Sequence, residues 1–154
     1  MAGHFFDSSA LVKLYHPELG TPAVDNIVNG AANQIRVSRL TIAELTSAFA
    51  IKVRTQSINR EDAEAFLRQF RSDVATGRLE VFSVGESEFT MAEALVERYA
   101  FDGRLRALDA LQLAVALELR RLKLVDYFVA ADIILCLCGV AELEGLSVIN
   151  PEQS

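Results

Sequence analysis

Apolar residues follow two patterns along this chain: short continuous runs, and longer stretches where they return every three or four positions. The short runs predict strands and the longer stretches amphipathic helices. Gly3–Phe6 predicts a first strand and Ser8–Tyr15 a helix, with Ser8 or Ser9 near its N-cap and His16-Pro17 as its stop. Thr21-Pro22 opens a second helix that runs to about Val28, where Asn29-Gly30 closes it. Gln34–Ser38 predicts a second strand, in which Ile35 and Val37 alternate with polar neighbours. Thr41–Arg54 and Arg60–Ala75 predict a pair of helices. In the second of them Ala63, Phe66, Leu67 and Phe70 recur at helical spacing, Asn59 caps the start and Gly77 marks the end. Leu79–Val84 predicts a third strand, and Glu86–Ala100 a helix begun by acids. Leu105–Leu122 is the most apolar helix of the chain. A fourth strand over Tyr127–Ala130, a helix over Asp132–Glu142 and a last strand over Leu146–Ile149 complete the order.

Strands that are apolar throughout, alternating with helices, are the pattern of a parallel sheet covered on both faces. The fold class expected is therefore α/β, a sandwich of helices around a central sheet. No repeat, low-complexity tract or linker interrupts the order, and 154 residues fit one core, which predicts a single domain over residues 1–154.

Hydrophobic residues make up 51% of the chain, enough for a sizeable core. A membrane span needs about 18 uncharged apolar residues. The longest apolar segment, Ala107–Leu119, is broken by Asp109, Gln112 and Glu118. The opening MAGHFFDSSA lacks the basic start and long apolar run of a signal peptide. A cytoplasmic protein with no membrane association is expected. The net charge of −6 argues against holding nucleic acid by bulk electrostatics, but leaves a nuclease open, because bound cations reverse the sign of an acidic site locally. Cys136 and Cys138 stand too close in sequence for an ordinary disulfide and read as core thiols. His4 and His16 fit neither a zinc motif nor a serine-hydrolase triad, and no GxSxG turn is present.

Four acids stand apart from the solvated faces of the helices. Asp7 and Asp132 each directly follow a strand, where a ligand of a parallel sheet binds, and where an Asp also serves as a helix N-cap. Asp109 opens the most apolar helix with Leu113 and Ala116 on its face, an expensive place for a carboxylate unless it is paired, bound to a cation or favoured by the helix dipole. Glu44 lies on a mixed helical face with Leu40, Thr41, Ser47 and Ala48 and reads equally as an exposed glutamate. If the fold brings them together, the carboxylates repel one another and create demand for a hard divalent ion such as Mg²⁺ or Mn²⁺. Such an ion polarises a phosphodiester and orients or deprotonates an attacking water. Arg36, Arg39, Arg104 and Arg106 read as solvated surface arginines or as phosphate contacts near the rim.

The segments DSSALVKLY, TIAEL, LRALDALQLA, FVAAD and LSVINP occur in the order and context of a PIN-domain protein of the VapC toxin type, and the chain resembles that family from about Phe6 to Pro151. The resemblance implies a PIN-like three-layer sandwich with a short central parallel sheet of about five strands. It also implies a Mg²⁺- or Mn²⁺-dependent endoribonuclease that leaves a 3′-hydroxyl, the toxin of a type II toxin–antitoxin system. Asp7, Glu44, Asp109 and Asp132 match the family's acidic quartet. By that match Asp7 and Asp109 are direct metal ligands, Asp132 ligates directly or through water, and Glu44 positions water. A small cognate antitoxin and a homodimer are the implied partners, with RNA as substrate. The chain departs from many relatives at Gln112, where they carry His, at Ala131, where they carry Ser or Thr, and at Ile133 and Ile134, where they carry basic residues.

A catalytically weak PIN module that binds RNA or a protein is the alternative, and it has no need of four converging acids. A phosphoacceptor signalling domain is disfavoured by Ser83-Val84-Gly85 after the third strand and by the lack of any Lys beyond Lys123. A haloacid-dehalogenase phosphatase would need an acid where Ser9 stands.

Overall fold

The computed structural model describes residues 1–131 and 136–153. Strand β1 (Ala2–Phe6) leads directly into helix α1 (Ser8–Tyr15), and α2 (Thr21–Val28) follows. Strand β2 (Asn33–Ser38) precedes the helical pair α3 (Arg39–Arg54) and α4 (Arg60–Ala75). Strand β3 (Leu79–Phe82) precedes a second pair, α5 (Glu86–Tyr99) and α6 (Ala107–Arg121). Strand β4 (Tyr127–Val129), helix α7 (Cys136–Leu143), strand β5 (Ser147–Ile149) and a 3-10 turn over Pro151–Gln153 end the chain.

The five strands form one parallel sheet in the order β3-β2-β1-β4-β5. Phe5 pairs with Arg36 on one side and with Phe128 on the other, so the first strand is the centre of the sheet. The chain builds outward from β1 to β3, then returns to the other side for β4 and β5. The strand order therefore reverses between β1 and β4, and the connections leaving those two strands diverge. In parallel sheets, ligands bind at the carboxyl ends of strands that diverge in this way.

Side chains alternate across the sheet. Phe6, Ile35, Val37 and Val129 enter one core with α1 to α4, while Phe5 and Phe128 enter the other with α5, α6 and α7. Phe5, Phe6 and Phe128 are completely buried, and truncating a buried Phe of this kind costs about 3–5 kcal/mol. Three layers result, as the continuous apolar runs imply. Gly3 serves a close approach: a Cβ there would stand 1.9 Å from the Leu124 carbonyl oxygen, on the segment that leads into β4.

Element boundaries differ from the sequence reading by a few residues. Arg106 is extended (φ −85°, ψ 159°), so α6 begins at Ala107 and Leu105 is buried ahead of it rather than within it. Helix α3 starts directly at Arg39, because Ser38 ends β2 and is already the N-cap residue. β3 stops at Phe82, short of the expected Val84, and the closing turn was not anticipated. The expected start of the seventh helix at Asp132 lies outside the described residues.

Candidate active site at the carboxyl edge of the sheet

Asp7 follows β1 at the reversal point. Its backbone N–H still donates to the Val129 carbonyl at 2.9 Å, and its side chain caps α1 by accepting from Ser9 N at 3.2 Å. The Ser9 hydroxyl donates to the same oxygen, Oδ2, at 2.7 Å. The helix-cap reading of an Asp after a strand is borne out, since the carboxylate caps α1 at the end of β1. It is only 5% exposed. Burial pushes its proton affinity up, the Ser9 hydrogen bonds oppose that, and the negative charge of Asp109 adds to the rise.

Glu44 reaches the same region from the second turn of α3. Its Oε1 accepts from the Gln112 side-chain amide at 2.6 Å. Burial raises its proton affinity as well, the Gln112 bond opposes the rise, and the charges of Asp7 and Asp109 both add to it. Asp109 sits in the first turn of α6, where the positive end of the helix dipole favours an acid. Its Oδ2 accepts from Arg106 Nε at 3.1 Å. Asp7, Glu44 and Asp109 thus come from three separate elements and act electrostatically on one another.

Asp132 lies outside the described residues. Its neighbour in sequence, Ala131, donates its backbone N–H to the Ser9 hydroxyl at 3.0 Å, beside Asp7. Among the described residues, no group of three or more His, Cys, Asp or Glu side chains is drawn together closely enough to hold a metal ion.

Of the four arginines read as rim residues, Arg106 reaches the site through Asp109, and Arg39 stands exposed directly after the end of β2. Arg104 is exposed on the segment before α6. Arg36 corrects both sequence readings: it is 5% exposed and bonds to the Leu124 carbonyl at 2.6 Å, to Glu80 at 3.1 Å and to Gln34. It is a buried strut between strands rather than a surface or phosphate-binding residue. Cys138 packs in the core with Sγ 3.6 Å from the Ala130 carbonyl oxygen, as expected, and His4 stacks on Tyr127.

Two side chains of the site were not recognised from sequence as a network. Ser38 and Gln112 are both completely buried, and they bond to each other at 2.7 Å. The available signal was a lone amide inside an almost wholly apolar helix, Gln112, whose partners lie on distant segments.

The PIN domain family matches residues 4–128. No curated protein matches the chain by sequence. Among solved structures, the Mycobacterium tuberculosis toxin VapC20, which cleaves the sarcin–ricin loop, superposes with a TM-score of 0.67 at 16% identity, covering 96% of this chain and 99% of that one. VapBC2 of Rickettsia felis, solved bound to a fragment of its promoter DNA, gives 0.63 at 17% identity, covering 96% and 98%. DNA-bound VapBC of Salmonella typhimurium gives 0.64 at 13% identity, covering 98% and 99%. These likenesses are of fold.

Proposed function

Because the chain belongs to the PIN-domain family, we propose that it is a Mg²⁺- or Mn²⁺-dependent endoribonuclease, the VapC-like toxin of a type II toxin–antitoxin pair. The observation that carries this reading is Asp7, a buried carboxylate at the strand-order reversal whose proton affinity is raised and which acts on Asp109 and Glu44 from two other elements. A buried anion among like charges is costly unless a cation joins it.

The donor set fits a hard divalent ion, since Asp7, Glu44 and Asp109 offer only oxygen, and among the described residues no cysteine or histidine is grouped with them. Asp7, Asp109 and Asp132 would hold the ion, and Glu44 would orient water. When bound, the ion supplies a polarised phosphodiester and a more acidic water. The remaining work falls to the chain. Ser9 holds one Asp7 oxygen and the end of β4 in fixed relation. Glu44, held by the Gln112 amide and with the Ser8 hydroxyl also within its reach, would accept a proton from an attacking water. Arg106, which bonds Asp109, and exposed Arg39 would meet phosphate oxygens of RNA.

The solved neighbours include a toxin and a toxin–antitoxin complex, which supports a small protein antitoxin as partner. A homodimer, a single domain spanning the chain and a cytoplasmic location belong to the same proposal. Among the described residues no helix is long and apolar enough to cross a membrane.

The test is cleavage of RNA by protein purified free of any antitoxin, with Mn²⁺ or Mg²⁺ and with excess EDTA. Cleavage that needs the ion and disappears in Asp7→Asn and Asp109→Asn is expected. Absence of cleavage with either ion would turn the reading toward a PIN module that only binds.

A further inference from the structure

We propose that Gln112 is a positioning residue that holds Glu44 in its working orientation, an inference that rests on the ribonuclease reading of the site. The Gln112 side chain is fully buried within the apolar run of α6. Its Nε2 donates to Glu44 Oε1 at 2.6 Å and to Thr41 Oγ1 at 3.0 Å, and its Oε1 accepts from Ser38 Oγ at 2.7 Å. These partners fix which way the amide points. Turned over, it would set its oxygen against the Glu44 carboxylate, acceptor against acceptor, and lose both donor contacts.

The need for such a clamp follows from charge. Glu44 feels the negative charges of Asp7 and Asp109, and its own position is partly open to solvent. Repulsion favours a rotamer that takes the carboxylate outward into water. An amide donor opposes that swing without neutralising the acid, as a lysine would. Gln112 also lies one helical turn beyond Asp109, so the same stretch of α6 sets both Asp109 and the anchor of Glu44. Ser38 and Thr41 tie that anchor to the end of β2 and the start of α3. A residue that merely filled the core would affect stability alone. A residue that orients Glu44 affects turnover in protein that remains folded.

The experiment compares wild type, Gln112→Met, Gln112→Glu and Gln112→His on a mixed-sequence RNA at saturating Mn²⁺, with folding checked by urea unfolding. Removing a partner that orients a site residue lowers kcat by about 10–100-fold, so Gln112→Met and Gln112→Glu should show that loss with KM nearly unchanged. An imidazole can donate to Glu44 and accept from Ser38 at once, so Gln112→His should recover most of the activity. An independent readout needs no cleavage: in metal-free ¹⁵N-labelled protein the Gln112 side-chain amide protons should exchange slowly and shift in Glu44→Ala. Wild-type turnover in folded Gln112→Met overturns the proposal, as does a Gln112 amide signal indifferent to Glu44→Ala. A wild type that cuts no RNA overturns the ribonuclease reading instead, and the amide signal then decides whether Gln112 holds Glu44 at all.

Discussion

Ser9 donates its hydroxyl proton to Asp7 Oδ2 at 2.7 Å while accepting the Ala131 N–H at 3.0 Å. One small side chain therefore joins the ends of two neighbouring strands, β1 and β4, at the point where the sheet order reverses. Its donor is spent on the carboxylate and its acceptor on the backbone, so the position of Asp7 and that of the chain leading to Asp132 are set together.

Ser9→Ala should separate those two positions. It strips a hydrogen bond from a buried carboxylate and leaves the Ala131 N–H without that acceptor, a loss of about 1–3 kcal/mol. Urea unfolding in EDTA measures the stability term. On the proposal that Asp7 holds the ion, cleavage should fall by about 10–100-fold in protein that is still folded, the usual cost of losing a partner that orients a metal ligand. Ser9→Ala with wild-type stability and activity would show that the contact does neither job.

The metal-free protein should become more stable as pH falls from neutrality toward the ordinary carboxylate range, as far as Asp7 and Glu44 are concerned. Both carboxyls are held above their ordinary values of 3.8 and 4.5. The folded state therefore keeps protons that the unfolded state has already released, and stability is lost as pH rises through that window. Asp7→Asn should flatten this part of the profile and raise the melting temperature at pH 7. Thermal unfolding of wild type and variant in EDTA between about pH 5 and 7 makes the comparison. A steeper profile in Asp7→Asn would contradict it.

The position of Asp7 at the end of β1 was legible because a parallel α/β order says where such a residue lies before any contact is known. Asp109 was legible because a carboxylate at the head of an apolar helix is conspicuous. Gln112 was equally conspicuous, but its meaning was not, since Ser38, Thr41 and Glu44 reach it only through the tertiary fold. Arg36 was misread for a related reason. A strand with Ile35 and Val37 on one face sends Arg36 to the other, where the Leu124 carbonyl, Glu80 and Gln34 together make a place for a buried guanidinium. Leu105 was placed in the helix by its hydrophobicity, whereas Arg106 turns the chain just after it. Periodicity reports which side chains are buried, and that is a weaker statement than which backbone is helical.

A second ionic cluster carries the opposite pH sign. Lys13 on α1 is 4% exposed and donates to Glu18 at 2.9 Å and to Glu152 at 2.7 Å, which clasps the C-terminal turn against the start of the fold. Burial works against the Glu18 anion, but the hydrogen bonds from Lys13 and Lys52 prevail and hold its carboxyl below the ordinary value. Its contribution is therefore present near neutrality and is lost as pH falls through that lowered value. Removing one member of a buried pair costs about 3 kcal/mol or more, so Lys13→Met should destabilise the protein by about that amount in urea unfolding. Cleavage per folded molecule should stay near wild type. An unchanged unfolding midpoint would mean that the cluster contributes only geometry.

Metal binding can be tested apart from catalysis, because an ion that binds only the folded protein must stabilise it. At a concentration about 100 times its dissociation constant the gain is about 2.7 kcal/mol. For a chain of this size that corresponds to a rise of about 5–10 °C in Tm. Mn²⁺ should produce that rise in wild type and EDTA should reverse it. Asp7→Asn should begin from a higher metal-free Tm, since it removes a buried charge next to Asp109, and should show no rise with Mn²⁺. Tyr15→Phe supplies the control. It breaks the 2.7 Å bond from the Tyr15 hydroxyl to buried Asp73, in the core on the α1 to α4 face, so it should lower the Tm yet leave the Mn²⁺ shift intact. A simple loss of stability moves the baseline alone, and a lost ligand moves the shift alone. Asp7→Asn is expected to move both, in opposite senses, which only a carboxylate that is costly when empty and useful when filled can do. Persistence of the full Mn²⁺ shift in Asp7→Asn would remove Asp7 from the metal site.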